Sequence, residues 1–192
     1  DYGGNAMQVA GAMAERATGE GWSALFRREV ATPLGMTRTH YSYFPEIDSA
    51  NPRIAGGMFS TAPDYMKLLL MWQAHGKSGT QRLLDSATVS AMDRDQTLGT
   101  RVISSPLPGA GYGIGHWIEG KDAQGHSSLV SSPGAFGFTP WLDLRRDIAG
   151  VLLIYGDFSA TRADTVRLIQ QVSRVLDKDI TTVPFADFGG IW

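Results

Sequence analysis

The stretch SSLVSSPGAFGFTPWLDLRRDIAGVLLIY, residues 127–155, decides the fold class because its apolar residues recur with the period of β-strands. Three strands are predicted, over residues 127–132, 136–144 and 148–155. The polar residues between the last two strands are typical of a hairpin turn. Strands that follow one another through short turns indicate an antiparallel sheet.

A fourth strand is predicted immediately upstream. Residues 112–119 alternate in the same way, and residues 120–125 give the turn that follows them. Before them, residues 101–111 are rich in proline, glycine and serine and predict a connector. The sheet is therefore expected to begin near residue 111.

Helical periodicity flanks the predicted sheet on both sides. Helices are predicted from the start of the chain to Gly19, from Trp22 to Thr32, from residue 62 to about His75, from about Ser86, and over residues 161–176. The second helix should stop at Thr32, because the residue before a proline is disfavoured in the α region. Helices, then a meander, then one long helix give an α+β fold class.

We expect three parts along the chain. Residues 1–110 would form a portion of a helical lobe, residues 111–180 the sheet with its last helix, and residues 181–192 a tail. The helical pattern starts within the first few residues, which predicts that another segment precedes them.

Composition excludes several classes of function. The 192 residues include no cysteine, which excludes disulfides, thiolate metal sites and cysteine nucleophiles. The net charge of −2 gives no electrostatic footprint for nucleic acid. No apolar run approaches the roughly 20 residues of a membrane span. The four histidines lack metal-ligand spacing, and residues 111–115 lack the GxGxxG pattern of a dinucleotide site. No metal or cofactor is expected.

Three segments carry a family resemblance. They are YGGNAMQVAG at 2–11 with ATPLGMT at 31–37, then AGGMFSTAPD at 55–64, then GAFG at 134–137 with the strand VLLI at 151–154. In this order and spacing they resemble class C β-lactamases and family VIII carboxylesterases, within the penicillin-binding-protein superfamily. The resemblance implies a β-lactamase/transpeptidase-like fold, with the active site in a cleft between sheet and helical lobe.

The resemblance also implies where the catalytic groups lie. The first family motif is S-x-x-K, which supplies the serine nucleophile, and no serine here has lysine three positions later. The nucleophile is therefore expected on an N-terminal portion of the same protein, which would be this chain's partner. The second motif is Y-x-N: Tyr2 matches its tyrosine, and Gly4 stands in place of the asparagine.

In that family the tyrosine lies near the lysine ammonium and carries the proton between serine and leaving group. A phenol is a poor base at neutral pH until a neighbouring cation favours its ionised form. The competing interpretation is that Tyr2 is only an aromatic residue packed in front of a helix.

The third family motif is K-T-G, which becomes H-x-G or W-x-G in the esterase branch. Ser132, Pro133 and Gly134 fall at this place. Gly134 would let the strand approach a substrate closely, and the Ala135 N–H would be one oxyanion-hole donor. Two alternatives stay open: a register at residues 126–128, which has no glycine, and a plain strand kink without a role in catalysis.

These residues predict a serine hydrolase that acts on a small ester or amide through an acyl-enzyme. Ser132 cannot supply the positive charge that a lysine offers to a substrate carboxylate, which disfavours β-lactam and peptidoglycan substrates. The alternatives are a true β-lactamase or D-aminopeptidase, and a non-catalytic binding or sensor module on the same scaffold. The departures at Gly4 and Ser132 fit the last of these.

Overall fold

Helices flank a five-stranded sheet in the computed structural model, which describes residues 2–41 and 51–177. The helices are α1 (Gly4–Thr18), α2 (Trp22–Phe26), α3 (Thr32–Leu34), α4 (Ala62–Gln73), α5 (Ser86–Met92) and α6 (Phe158–Asp177). The strands are β1 (Lys77–Ser78), β2 (Gln81–Arg82), β3 (Gly111–Tyr112), β4 (Trp117–Lys121), β5 (Ser127–Ser131), β6 (Thr139–Asp143) and β7 (Ile148–Leu152). The predicted tail at 181–192 lies outside the described residues.

The second helix does not stop at Thr32 as predicted. A π-helical turn over Arg27–Ala31 joins α2 to α3, and Thr32 keeps right-handed helical angles. The π-helical turn widens the backbone ahead of Pro33, where the proline ring would otherwise meet the carbonyl four residues back. The helix ends instead at Gly35, which adopts a φ of 64°.

The strands are shorter than the sequence predicts. The first one is interrupted: β3 and β4 are joined by a tight turn over residues 113–116, because the Gly113 N–H donates to the His116 carbonyl. Between β5 and β6 the chain leaves the sheet at residue 132 and re-enters at Thr139. The last helix starts three residues earlier than predicted, since the Asp157 carboxylate accepts the N–H groups of Ser159 and Ala160.

The sheet is antiparallel throughout, in the order β3–β4–β5–β6–β7. Helix α4 covers one face, where its Leu69 packs on Ile118, Val130 and Leu142. The Thr61 side chain accepts the Asp64 N–H and so caps the start of this helix. Helix α6 lies on the other face, where Arg162 pairs with Glu119 of β4. The observed architecture is α+β, which confirms the predicted fold class.

A second core joins α4 to the N-terminal helices. It consists of Ala31, Leu34, Met36 and Met71. Helix α4 therefore contributes to both cores, through Met71 here and Leu69 at the sheet. The division of the chain at residue 110 stays a prediction.

Part of the apolar surface near β7 and α6 is uncovered among the described residues. Strand β7 is the last in the sheet and pairs with β6 alone. Just beyond it, Leu153 is 52% exposed and Tyr155 is 98% exposed. Along α6, Ile169 is buried, but Leu168 and Leu176 are exposed. Within the described ranges no helix is long and apolar enough to span a bilayer.

Candidate active site

Tyr2 stands just before α1 and packs on the β3–β4 edge of the sheet. Its ring lies 4.7 Å from the Trp117 ring and 5.7 Å from the Tyr112 ring, measured between centroids. Its N–H donates to the Ser104 carbonyl at 3.4 Å. The Tyr2 side chain is still 44% exposed, so the start of the helix holds a phenol that solvent or a substrate can reach.

The strand register links Tyr2 to the third-motif segment. Trp117 of β4 lies directly opposite Ser131 of β5, and Ser131 lies opposite Trp141 of β6. Residues opposite each other in antiparallel strands share one face of the sheet. Because residue 132 follows Ser131 at once, the segment at 132–135 begins one strand away from the ring on which Tyr2 packs. The fold thus brings the two predicted motifs to the same region of the sheet.

The segment at 132–135 lies between strands β5 and β6 and is not itself a strand. It continues the β5–β6 hairpin through two hydrogen bonds, from the Ser132 N–H to the Pro140 carbonyl and from the Gly134 N–H to the Phe138 carbonyl. Residues 134–137 then close a tight turn, in which the Gly137 N–H donates to the Gly134 carbonyl at 3.1 Å. Strand geometry is lost because the chain must reverse here.

The two glycines of this turn have different environments. Gly137 has a φ of 91°, and an added Cβ would lie 3.2 Å from the Ile154 Cβ. The turn therefore requires glycine at this position. At Gly134 an added Cβ would come no closer than 3.8 Å to its nearest neighbour, Phe138. Nothing in the described fold requires glycine at position 134.

Ala135 is exposed at the tip of the turn. Its carbonyl accepts the Phe158 N–H, and the neighbouring Phe136 carbonyl accepts the Gly156 N–H, which ties the turn to the start of α6. In the part of the chain that the structure describes, the Ala135 N–H has no acceptor. An exposed N–H on an anchored turn can donate to an oxygen from outside.

Gly4 is the first residue of α1. An added Cβ there would lie 3.3 Å from the Ala55 Cβ, which is tighter than ordinary van der Waals contact. The close approach of the segment at 55 accounts for a small residue where the family has asparagine.

The alternative position for the third motif, residues 126–128, lies at the opposite end of β5 from Ser132. His126 closes a turn in which the Asp122 carboxylate accepts its N–H at 2.8 Å. The exposed His126 ring lies 3.2 Å from the same carboxylate. These contacts give His126 a structural role in the turn.

Two aromatic residues that carry no family motif, Tyr112 and Trp117, also belong to the candidate site. Trp117 is buried. Tyr112 lies opposite it in the β3–β4 register, with ring centroids 4.7 Å apart. Burial raises the pKa of Tyr112, and the neighbouring Tyr2 side chain raises it further, so this phenol stays protonated at neutral pH. The glycines on either side of Tyr112 were the only feature of the sequence that could have drawn attention to this residue.

The buried carboxylate of Asp95 holds strand β3 beside the rings of Tyr2 and Trp117. Burial alone would raise the pKa of Asp95, but hydrogen bonds from Lys121 and Thr97 outweigh it and lower the pKa to about 2. The Lys121 ammonium lies 2.7 Å from the carboxylate. Asp95 also accepts the Tyr112 N–H at 3.4 Å, and its Oδ2 lies against Gly111, where an added Cβ would come within 2.3 Å.

A second buried polar group lies between α4 and the sheet. The His116 ring is buried, and burial lowers the pKa of His116 to about 4 despite a contact with the Ile114 carbonyl. Its Nε2 lies 3.5 Å from the Asp93 carboxylate, which also accepts the Trp72 indole N–H at 3.1 Å. His116 is neutral at pH 7. The described residues include no group of three or more histidine, aspartate or glutamate side chains that could hold a metal.

An antiparallel sheet with helices on both faces is the architecture of the β-lactamase/transpeptidase-like class. The family model described as Beta-lactamase matches residues 1–173. The chain belongs to this family, as the sequence resemblance predicted.

Solved structures agree with this assignment. A protein described as a β-lactamase from Bacteroides dorei is 32% identical, with a TM-score of 0.73 over 93% of this chain and 58% of its own. A penicillin-binding protein from Bacillus halodurans has a TM-score of 0.63 at 17% identity, over 88% of this chain and 56% of its own. Simvastatin synthase from Aspergillus terreus has a TM-score of 0.59 at 17% identity, over 78% and 47%.

Because the penicillin-binding protein and simvastatin synthase are each only 17% identical to this chain, their similarity shows the fold alone. No curated protein matches the chain. The chain spans 58% of the length of the Bacteroides dorei protein and about half of the other two.

Proposed function

We propose that the intact protein, meaning this chain together with an upstream portion that carries S-x-x-K, is a serine hydrolase for small esters or amides. The observation that carries the proposal is that one region of the sheet holds both the exposed phenol of Tyr2 and the Ala135 N–H, which has no acceptor among the described residues. Acyl transfer needs both a proton carrier and an oxyanion donor. This chain would supply one of each.

The proposed reaction runs through an acyl-enzyme. The upstream serine oxygen attacks the substrate carbonyl, and its proton passes through Tyr2 to the leaving alcohol or amine. The Ala135 N–H and the N–H of the nucleophile itself donate to the carbonyl oxygen as it gains negative charge. Water then attacks the acyl-serine carbonyl, and the proton that the water loses passes through Tyr2 to the serine oxygen as the acyl–oxygen bond breaks and the carboxylic acid is released. No metal or cofactor takes part in this scheme.

Neutral esters and amides fit the third-motif turn better than substrates with a carboxylate. Ser132 replaces the family's lysine, and the sequence has no lysine or arginine between Lys121 and Arg145. A substrate carboxylate would therefore find no cation on this turn. Gly134 supports substrate binding there, because the described neighbours leave room for a larger residue and a substrate beside the turn would use that space.

The upstream portion is the proposed partner. Strand β7 offers an unpaired edge among the described residues, and Leu153, Tyr155 and Phe136 expose apolar surface near it. An exposed strand edge and apolar patch are liabilities unless another segment covers them. An open groove of about 860 Å³ also lies between α6 and β5, lined in part by Leu129 and Ile169. These surfaces suit a strand and a helix from the same protein.

The alternative function is a non-catalytic binding or sensor module. Two departures from the family motifs, at Gly4 and Ser132, favour it. An upstream portion that retains the fold but lacks the serine of S-x-x-K would support this alternative. A true β-lactamase or D-aminopeptidase is the third candidate, and hydrolysis of a carboxylate-bearing substrate would support it.

Hydrolysis of p-nitrophenyl butyrate and of nitrocefin by the intact protein tests these functions. We expect ester hydrolysis, little nitrocefin hydrolysis, and no activity for residues 1–192 alone. Tyr2→Phe should lower kcat by about 10² to 10⁴, the usual contribution of a positioned acid or base. Tyr65→Phe is the matched control, because this tyrosine packs against Phe138 on the α4 side of the sheet. Full ester activity in Tyr2→Phe would overturn the proposal.

A further inference from the structure

Glu119 is the extra residue of a β-bulge in strand β4. Ile118 pairs with Val130 of β5. The next pair joins Gly120 to Leu129, so Glu119 between them has no residue opposite it. A bulge re-aims the side chain that it carries, and bulges recur beside active sites. The Glu119 side chain lies on the face of the sheet that α6 covers, where it is 13% exposed.

The Glu119 carboxylate accepts hydrogen bonds from two other elements of the fold. One oxygen accepts the buried Ser131 hydroxyl at the end of β5, and the other accepts the Arg162 guanidinium near the start of α6. The Arg162 side chain is 22% exposed, so this ion pair is shielded from solvent and is held more firmly than a surface pair. Among the described residues the Arg162 Nη1 atom is buried and has no acceptor, which leaves Glu119 as the counter-charge of this guanidinium.

The two donors lie on either side of the third-motif segment. Ser131 directly precedes the segment at 132–135. On the other side, the Phe158 N–H at the start of α6 donates to the Ala135 carbonyl at 3.0 Å. The Arg162 guanidinium lies over the Phe158 ring, 5.9 Å from its centroid. One carboxylate therefore connects the strand that enters the turn with the helix that anchors its tip.

We propose that Glu119 is a positioning residue for the third-motif turn, and that its two hydrogen bonds fix the place of the Ala135 N–H. The inference rests on the proposed role of this N–H as an oxyanion donor. Such a donor must be in place before the reaction, because it acts on charge that develops only in the transition state. A displacement of about 1 Å can lower the rate about 10²-fold. Glu119 acts only through its two donors.

Kinetics of Glu119→Gln in the intact protein give the first test. Glutamine keeps the size of the side chain and can still accept from Ser131, but it removes the negative charge that faces Arg162. We expect kcat for p-nitrophenyl butyrate to fall about 10- to 100-fold, with KM within about threefold of wild type. Asp164→Asn is the matched control, because it removes an exposed ion pair with Arg167 on the same helix and should leave kcat unchanged. An unchanged kcat in Glu119→Gln would overturn the proposal.

A thionoester distinguishes placement of the donor from a general loss of activity. Its sulfur is larger than a carbonyl oxygen and a weaker acceptor, so a fixed N–H favours the oxygen ester. We expect the ratio of kcat/KM for p-nitrophenyl butyrate to kcat/KM for its thiono analogue to fall in Glu119→Gln and to stay at the wild-type value in Asp164→Asn. A loss of folded protein would lower both rates equally. A wild-type ratio in Glu119→Gln would refute the positioning role.

Amide NMR of the intact protein separates this inference from the proposed function. With ¹⁵N-labelled alanine, the Ala135 resonance is assigned by its loss in Ala135→Gly. Its order parameter should be about 0.85 in wild type, the value of rigid backbone, and should fall in Glu119→Gln but not in Asp164→Asn. An order parameter that Glu119→Gln leaves unchanged would contradict the inference. If wild type hydrolyses no ester, the proposed function fails, and the order parameter still decides whether Glu119 holds the turn.

Should Glu119→Gln not fold, Ser131→Ala gives the same decision. It removes one hydroxyl and leaves the ion pair between Glu119 and Arg162 in place. The Ala135 order parameter and the ester-to-thionoester ratio should both fall. Wild-type values of both in Ser131→Ala would overturn the proposal.

Discussion

Replacement of Asp95 by asparagine tests how strand β3 is held beside the rings of Tyr2 and Trp117. The carboxylate accepts from Lys121 at 2.7 Å and from the Thr97 N–H at 2.8 Å. Asparagine can still accept at one oxygen, but it loses the negative charge and places an amide group where Gly111 packs. We expect Asp95→Asn to lower the free energy of unfolding at pH 7.

The magnitude follows from the pKa of Asp95, which the hydrogen bonds lower to about 2 from an ordinary value of 3.8 despite burial. One pKa unit corresponds to about 1.4 kcal/mol, so the ionised form contributes about 2 kcal/mol to stability. The folded-state pKa lies below the unfolded one, and this stability is therefore complete above pH 5. It is lost as the pH falls from about 4 toward 2.

Urea unfolding of the intact protein, followed by tryptophan fluorescence at pH 7 and pH 2, measures the effect. We expect Asp95→Asn to lose about 2 kcal/mol at pH 7 and less than about 0.5 kcal/mol at pH 2, where the carboxyl is largely protonated in the unfolded chain and half protonated in the folded one. The control is Asp164→Asn, which removes an exposed ion pair with Arg167 and should change stability by less than about 0.5 kcal/mol. Equal stability of Asp95→Asn and wild type at pH 7, or an undiminished difference at pH 2, would refute the reasoning.

Three further predictions follow from packing and burial. Gly137→Ala should lower stability in urea unfolding by about 1 to 3 kcal/mol, because the alanine would strain a positive φ and crowd Ile154. Gly134→Ala should change stability by less than about 0.5 kcal/mol, but it should lower kcat/KM for the ester. Leu142→Ala should cost about 2 to 5 kcal/mol, since this core residue is 2% exposed; a loss below 1 kcal/mol would contradict its core position. Burial lowers the pKa of His116 to about 4. Wild type should therefore lose stability as the pH falls from about 6.5 to 4, because only the unfolded chain binds the proton in that range. In His116→Gln the urea midpoint should depend less on pH over the same range.

The α+β class could be predicted because the signals that determine it are local. The apolar segments around 139–143 and 148–152, separated by the polar residues of a turn, give the β6–β7 hairpin, and Thr61 with Asp64 gives the start of α4. Both depend on residues within one turn or one strand pair. The boundaries were harder to predict, because the chain reverses at residues 134–137 through bonds to residues 156–158 that are distant in sequence.

The candidate site was predicted only where it coincides with family motifs. Tyr2 and the segment at 132–135 carry such motifs, and the fold brings them to one region of the sheet through Trp117. Tyr112 could not be found in this way. Its contact with Tyr2 spans about a hundred residues of chain and depends on the β3–β4 register, which no pattern near Tyr112 specifies.

Labelling of the intact protein with a fluorophosphonate, followed by peptide mapping, tests the central claim most directly. Such a probe bonds covalently to an activated serine. We predict that the label lies on a serine upstream of Tyr2, with lysine three positions after it, and that labelling slows in Tyr2→Phe. A label on any serine within residues 1–192 would contradict the account.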